Sequence, residues 1–139
     1  MPIYIGGQVA AALFAAALLK GLVGTEASLG ATSCTVGLGA GFALEVVLTF
    51  FLMFVITAVA TDARASGSHA ALPIGATVTL CALMGGPLTG ASMNPARSIG
   101  PALLAGQPGE LWLYTAAPLL GAALGAFAYQ AIRGDAPAG

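Results

Sequence analysis

The sequence predicts an all-α membrane protein: four transmembrane helices and one re-entrant half-helix. Three observations carry this. The first is composition. The chain has 139 residues, of which 58% are hydrophobic and only 6% charged, whereas a soluble domain carries about 25% charged residues. Folded in water, it would leave most of its surface apolar, so its solvent is lipid. The second is the run of four long apolar segments. The third is a polar, turn-rich stretch, Gly90 to Pro101, that lies among those segments and is too short to be a fifth.

Pro2 to about Gly24 is the first span. It is uncharged before Lys20 and dense in alanine from Val9 to Leu19, with Gln8 as its interior polar group. Small residues suit close helix approach in lipid, where packing must supply the attraction. The positive charge follows the apolar run instead of preceding it, the wrong order for a cleaved signal peptide. Gly24 to about Gly39, with Glu26, Ser28, Thr32 and Ser33, is a connector. Gly41 to Thr61 is the second and strongest span, carrying one carboxylate, Glu45, about one turn inside. Asp62, Arg64, Ser66, Gly67, Ser68 and His69 form a polar loop. Ala70 to about Gly86 is the third span, ended by Gly85-Gly86-Pro87. Glu110 to Ile132 is the last, with Trp112 and Tyr114 at one end and Tyr129 near the other, as interfacial belts require. Residues 1–134 thus form one membrane domain, and 135–139 a short polar tail.

Four spans put both termini on one side. Arg64 and Arg133 fall on that side and Lys20 on the other, which favours cytoplasmic termini. Sliding the first span onto the last pairs Tyr4 with Tyr114, Ala12 with Ala122, Ala16 with Ala126 and Gly24 with Gly134. Alanine-rich helices match by chance, so this repeat is a hint. Gly37, Gly39 and Gly41, and Gly121 with Gly125, have the spacing of packing or loop glycines. No strand precedes them, as a nucleotide fingerprint would need.

In the polar stretch, Asn94 is a good N-cap and Pro95 a good first helical residue. A helix from there to about Leu104 has about 11 residues and a length of ~16 Å, half of a ~30 Å bilayer core. It can enter the membrane but not cross it, which leaves its first N–H groups near mid-membrane. Unpaired groups are costly there unless something polar meets them, and a water-filled pore is one answer. Asn94 can cap the helix with its side-chain oxygen and still offer its amide hydrogens to a passing solute. The helix dipole makes that point positive and disfavours cations. Arg97, one turn on, adds a fixed charge and several donors. The alternative is an ordinary Asn-Pro loop with a solvated arginine.

Other functions find little support. A net charge of −1 gives no basic footprint for nucleic acid. Cys34 and Cys81 lack metal-ligand spacing and read as packing residues, and His69, the single histidine, has no partner. The chain shows no acid–base pair, activated nucleophile or metal cluster, so an enzyme and a resident cofactor are not expected.

Thr89-Gly90-Ala91-Ser92-Met93-Asn94-Pro95-Ala96-Arg97-Ser98 resembles the second signature loop of the aquaporin, or major intrinsic protein, family. The likeness extends over nearly the whole chain. Tyr4-Ile5-Gly6-Gly7-Gln8 resembles the start of the family's third helix. Phe42-Ala43-Leu44-Glu45 with Thr49-Phe50 resembles its fourth, and Pro73-Ile74-Gly75 lies on its fifth. Trp112-Leu113-Tyr114 with Pro118 and Gly121 resembles its sixth. The family fold has six spans and two half-helices, each headed by Asn-Pro-Ala. This chain resembles the third helix plus the second half, so a truncated, partial aquaporin-like bundle is expected.

The resemblance implies a passive channel for water or small neutral solutes in the cell membrane, assembled as a homotetramer in full-length members. It places Asn94, Pro95 and Ala96 at the pore centre and Ala82, Ala91 and Arg97 in the selectivity ring. It gives Glu45 the role of the buried glutamate that accepts hydrogen bonds from the loop backbone; the other reading of Glu45 is an interfacial carboxylate among headgroups. Alanine at position 82 suggests a wider aperture, suited to glycerol, urea or a metalloid hydroxide beside water. Ser98 and Ala102 look more like a water channel. The Gly86-to-Met93 run most resembles the nodulin-like plant channels and their bacterial relatives.

Overall fold

The computed structural model describes residues 2–24, 28–62 and 70–134. Glu26, the loop residues Arg64, Ser66, Gly67, Ser68 and His69, and the tail 135–139 lie outside the described residues. Within them the chain is all-α, with five α-helices in the order α1 (Pro2–Val23), α2 (Leu38–Ile56), α3 (Ala71–Thr89), α4 (Pro95–Leu104) and α5 (Leu111–Ile132). α1, α2 with its continuation to Thr61, α3, and α5 with the short turn before it are long and apolar enough to cross a membrane. α4, at 10 residues, is not.

The most extensively packed pair is α2 and α5. Gly121 and Gly125 put bare backbone against the main chain of α2 at Val46, Phe50 and Phe54, where a side chain would have no room. Phe54 meets the Tyr129 ring edge-on at 5.5 Å, and Phe42 stacks on Trp112 at 6.1 Å. α3 lies on α2 through Leu48, which fills the space over Gly85 beside Cys81 and Ala91. α1 instead packs on α4, where Gly100 fits against Ala12: a Cβ on Gly100 would come within 2.6 Å of the Ala12 carbonyl oxygen. In lipid such close fits replace the hydrophobic drive between helices.

Three boundaries and placements differ from the sequence expectation. α2 begins at Leu38, three residues early, because the left-handed Gly37 (φ 82°) ends the connector and the Cys34 thiol needs Gly41 inside the first turn. Glu45 therefore sits two turns deep, not one. α3 passes through Gly85-Gly86-Pro87 and stops at Gly90, whose φ of 80° gives it a left-handed C-cap with its N–H bonded to the Gly86 carbonyl. Proline removes a single bond, to the Leu83 carbonyl, and Thr35 caps the Pro87 and Leu88 carbonyls left open at the helix end. α2 and its continuation reach Thr61 as expected, the last turn, Thr57–Thr61, being a wider π-type one. Finally, Tyr114 is not an interfacial anchor: it is buried, and its hydroxyl donates to the Thr89 carbonyl at 2.8 Å.

Candidate functional site

The loop from Gly90 to Asn94 turns the chain from α3 into α4, and its geometry is costly. Ala91 (φ 43°) and Met93 (φ 51°) both occupy the left-handed region without being glycine, where each residue stores strain of about 1–3 kcal/mol. The strain persists because Glu45 braces the loop from behind. One carboxyl oxygen accepts the Ser92 N–H at 2.8 Å and the Thr89 hydroxyl at 2.7 Å; the other accepts the Met93 N–H at 2.9 Å. Glu45 is fully buried. Such a group requires partners, and here the backbone supplies them.

Asn94 is extended (φ −154°, ψ 116°), and its side-chain oxygen accepts the Ala96 N–H at 3.0 Å, the N-cap arrangement for α4, with Pro95 next. Ser92 donates its hydroxyl proton to the Asn94 carbonyl at 3.0 Å. Arg97 points outward one turn on, with Nη1 donating to the Gly30 carbonyl at 2.7 Å. Gly30 closes a short 3-10 turn, Ser28–Gly30, in the connector, and the buried Leu29 anchors it.

A cleft of about 680 Å³ opens in front of the loop. Asn94, Pro95, Arg97, Ala91 and Ala82 all border it, so five residues singled out in the sequence meet on one surface. Ala96 is buried behind it, and Glu45 stands behind the loop. The rest of the wall is mostly apolar, from Leu52, Met53 and Ile56 of α2 to Pro118, Leu119 and Ala122 of α5, with Tyr4 and Gln8 of α1 at its edge. Among the described residues, Arg97 is the charged side chain that borders it. Asn94 and Arg97 lie beside the positive end of α4, with Ser92, Thr49, Gln8 and Tyr4 as the other polar residues of the lining. This surface can hydrogen-bond a neutral solute and repel a cation.

Sequence reasoning did not find Thr32, Gly30 or Thr89. Thr89 belongs to the quoted signature loop, but its contact with Glu45 spans two helices. Thr32 and Gly30 are ordinary connector residues whose role arises only when the loop folds onto α4.

A family profile described as Major intrinsic protein matches residues 1–129. The chain is 50% identical to Aquaporin NIP6-1 of Arabidopsis thaliana over 133 residues, which are 96% of this chain and 44% of that protein. It is 46% identical to Aquaporin NIP3-1 of Zea mays over 96% of this chain and 45% of that protein. With Aquaporin NIP1-3 of Oryza sativa subsp. japonica it shares 45% identity, over 96% of this chain and 47% of that protein. The chain spans less than half the length of these relatives.

Proposed function

The chain belongs to the major intrinsic protein family, and on that premise we propose that it supplies one wall of a passive channel for water and small neutral solutes. The observation that carries this is the meeting of Asn94 and Arg97 on one mostly apolar cleft, at the head of a half-helix held in place by Glu45. A solute moves in single file, passed from the donors of Arg97 to those of Asn94. Both are preset, so little reorganisation accompanies each step. The positive end of α4 and the guanidinium exclude cations and protons.

Ala82 and Ala91 contribute little bulk and no side-chain hydrogen-bonding group to the ring. That favours a solute such as glycerol, urea or a metalloid hydroxide beside water. Ser98 and Ala102 tend toward water. Names of the relatives given above contain the word aquaporin and agree with a channel over an enzyme. The setting is the cell membrane with cytoplasmic termini, and the assembly is a homotetramer of the completed channel.

The test is stopped-flow light scattering on vesicles containing the chain. Water or glycerol flux above that of empty vesicles is expected, and Arg97→Ala should raise glycerol flux and ion leak several-fold. Unchanged solute and ion permeability in Arg97→Ala would remove Arg97 from the filter. A second reading is a non-conducting fragment or interaction subunit that pairs with another chain. The open cleft, with Tyr4 70% exposed at its edge, favours it. Flux equal to that of empty vesicles would decide for it.

A further inference from the structure

We propose that the connector turn Ser28–Thr32 is the specificity-determining support of this site, with Thr32 as a positioning residue. It fixes Asn94 and Arg97 together from outside the pore surface. This rests on the channel reading above for its function, but not for its geometry.

Two arms leave the turn. The first is a buried line of three hydroxyls. Thr32 Oγ1 donates to Ser98 Oγ at 2.9 Å, Ser98 and Ser92 share a 2.7 Å bond, and Ser92 Oγ bonds the Asn94 carbonyl at 3.0 Å. All three residues are at most 7% exposed. A carbonyl can only accept, so the Ser92 proton points to Asn94. Ser92 must then accept from Ser98, and Ser98 from Thr32. Each hydroxyl has one proton, so the direction of the whole line is fixed, and its bonds reinforce one another in a buried setting. The line ends on the residue whose side chain heads α4.

The second arm is the Gly30 carbonyl on Arg97 Nη1 at 2.7 Å. The filter neighbours Ala82 and Ala91 have no polar side-chain atoms with which to hold the guanidinium, so the connector does so. Its backbone is set for the task. Ser28 (φ 48°) and Leu29 (φ 53°) are consecutive left-handed residues, and Leu29 is 1% exposed. A strained pair that is also an apolar anchor is retained only where the surroundings hold it in place. Its effect is to aim one carbonyl at Arg97.

The experiment uses the full chain in lipid nanodiscs. Thr32→Val keeps the shape and removes the first donor. Hydrogen–deuterium exchange of the amides from Ser92 to Ser98 is expected to rise about tenfold, the scale of one lost buried hydrogen bond, with α5 unchanged. Thr32→Ser should restore the native rate. No change at residues 92–98, an equal rise in α2 and α5, or failure of serine to restore would overturn the proposal. Leu29→Ala should speed exchange of the Arg97 guanidinium protons by NMR, and an unaltered rate would overturn the second arm. In vesicles, Thr32→Val should raise the glycerol-to-water permeability ratio and Thr32→Ser should not. If the wild-type chain conducts nothing, the channel reading fails and the exchange data still decide the positioning. If it conducts and Thr32→Val leaves the ratio unchanged, the specificity-determining role fails alone.

Discussion

α1 and α5 are the same length, 22 residues, and both are rich in alanine and leucine. In the register that pairs Tyr4 with Tyr114, Ala11 meets Gly121 and Ala15 meets Gly125. Their surroundings differ sharply. Tyr114 is 1% exposed and holds the Thr89 carbonyl; Tyr4 is 70% exposed. Gly121 and Gly125 are buried on the backbone of α2, whereas Ala11 and Ala15 are exposed. α1 buries only Ala16. Two helices of like composition thus have different fates: α5 lies along the main chain of α2 at two glycines, whereas α1 meets the shorter α4 at Gly100. In lipid, small residues permit close packing but do not compel it.

The largest effect should come from filling the α2–α5 contact. Gly121→Val should cost about 3 kcal/mol, because its Cβ meets backbone that cannot retreat. Ala11→Val, in the same register of α1, should change stability by no more than about 0.5 kcal/mol. Reversible unfolding in mixed micelles measures both, and equal losses would break the comparison.

Glu45→Gln comes next. An amide keeps one acceptor oxygen but turns donor hydrogens toward N–H groups that already donate. A loss of about 2 kcal/mol is expected, with faster amide exchange at Ser92 and Met93; native exchange there would show that the loop holds itself. The smallest effect belongs to the tyrosines. Tyr114→Phe leaves the buried Thr89 carbonyl without this donor and should cost about 1 kcal/mol. Tyr4→Phe loses only an exposed bond with Gln8 and should be near neutral. A Tyr4→Phe loss as large as that of Tyr114→Phe would mean that the Tyr4 face of α1 has a structured partner in the sample besides α4.

Most of the fold was legible because membrane helices follow apolar length and local caps. The four spans and the start of α4 at Asn94-Pro95 depend on residue types a few positions apart. The end of α3 was misjudged for a physical reason. Gly85-Gly86-Pro87 reads as a stop, but Thr35, far away in sequence, caps the carbonyls that Pro87 and its neighbour leave open. Tyr114 was misplaced at the interface because sequence gives its depth but not the face it presents. In the site, Ala91, Asn94, Pro95 and Arg97 were legible through one contiguous motif, whereas Ala82 lies outside it on α3. The supports Thr32 and Gly30 were not legible, because their bonds to Ser98 and Arg97 cross sixty-six and sixty-seven positions of chain.

The fit of Gly100 against Ala12 has a consequence for biogenesis. A chain enters the bilayer from its N-terminus as it is made, so α1 is in lipid before α4 exists. α4 is too short to anchor itself across the membrane, and its first N–H groups need protein around them. α1 is therefore a berth that waits for it. A bulky residue at position 12 or 100 should stall assembly after all four spans are inserted, giving a chain with correct topology, an undocked half-helix and heightened exposure to quality-control proteases.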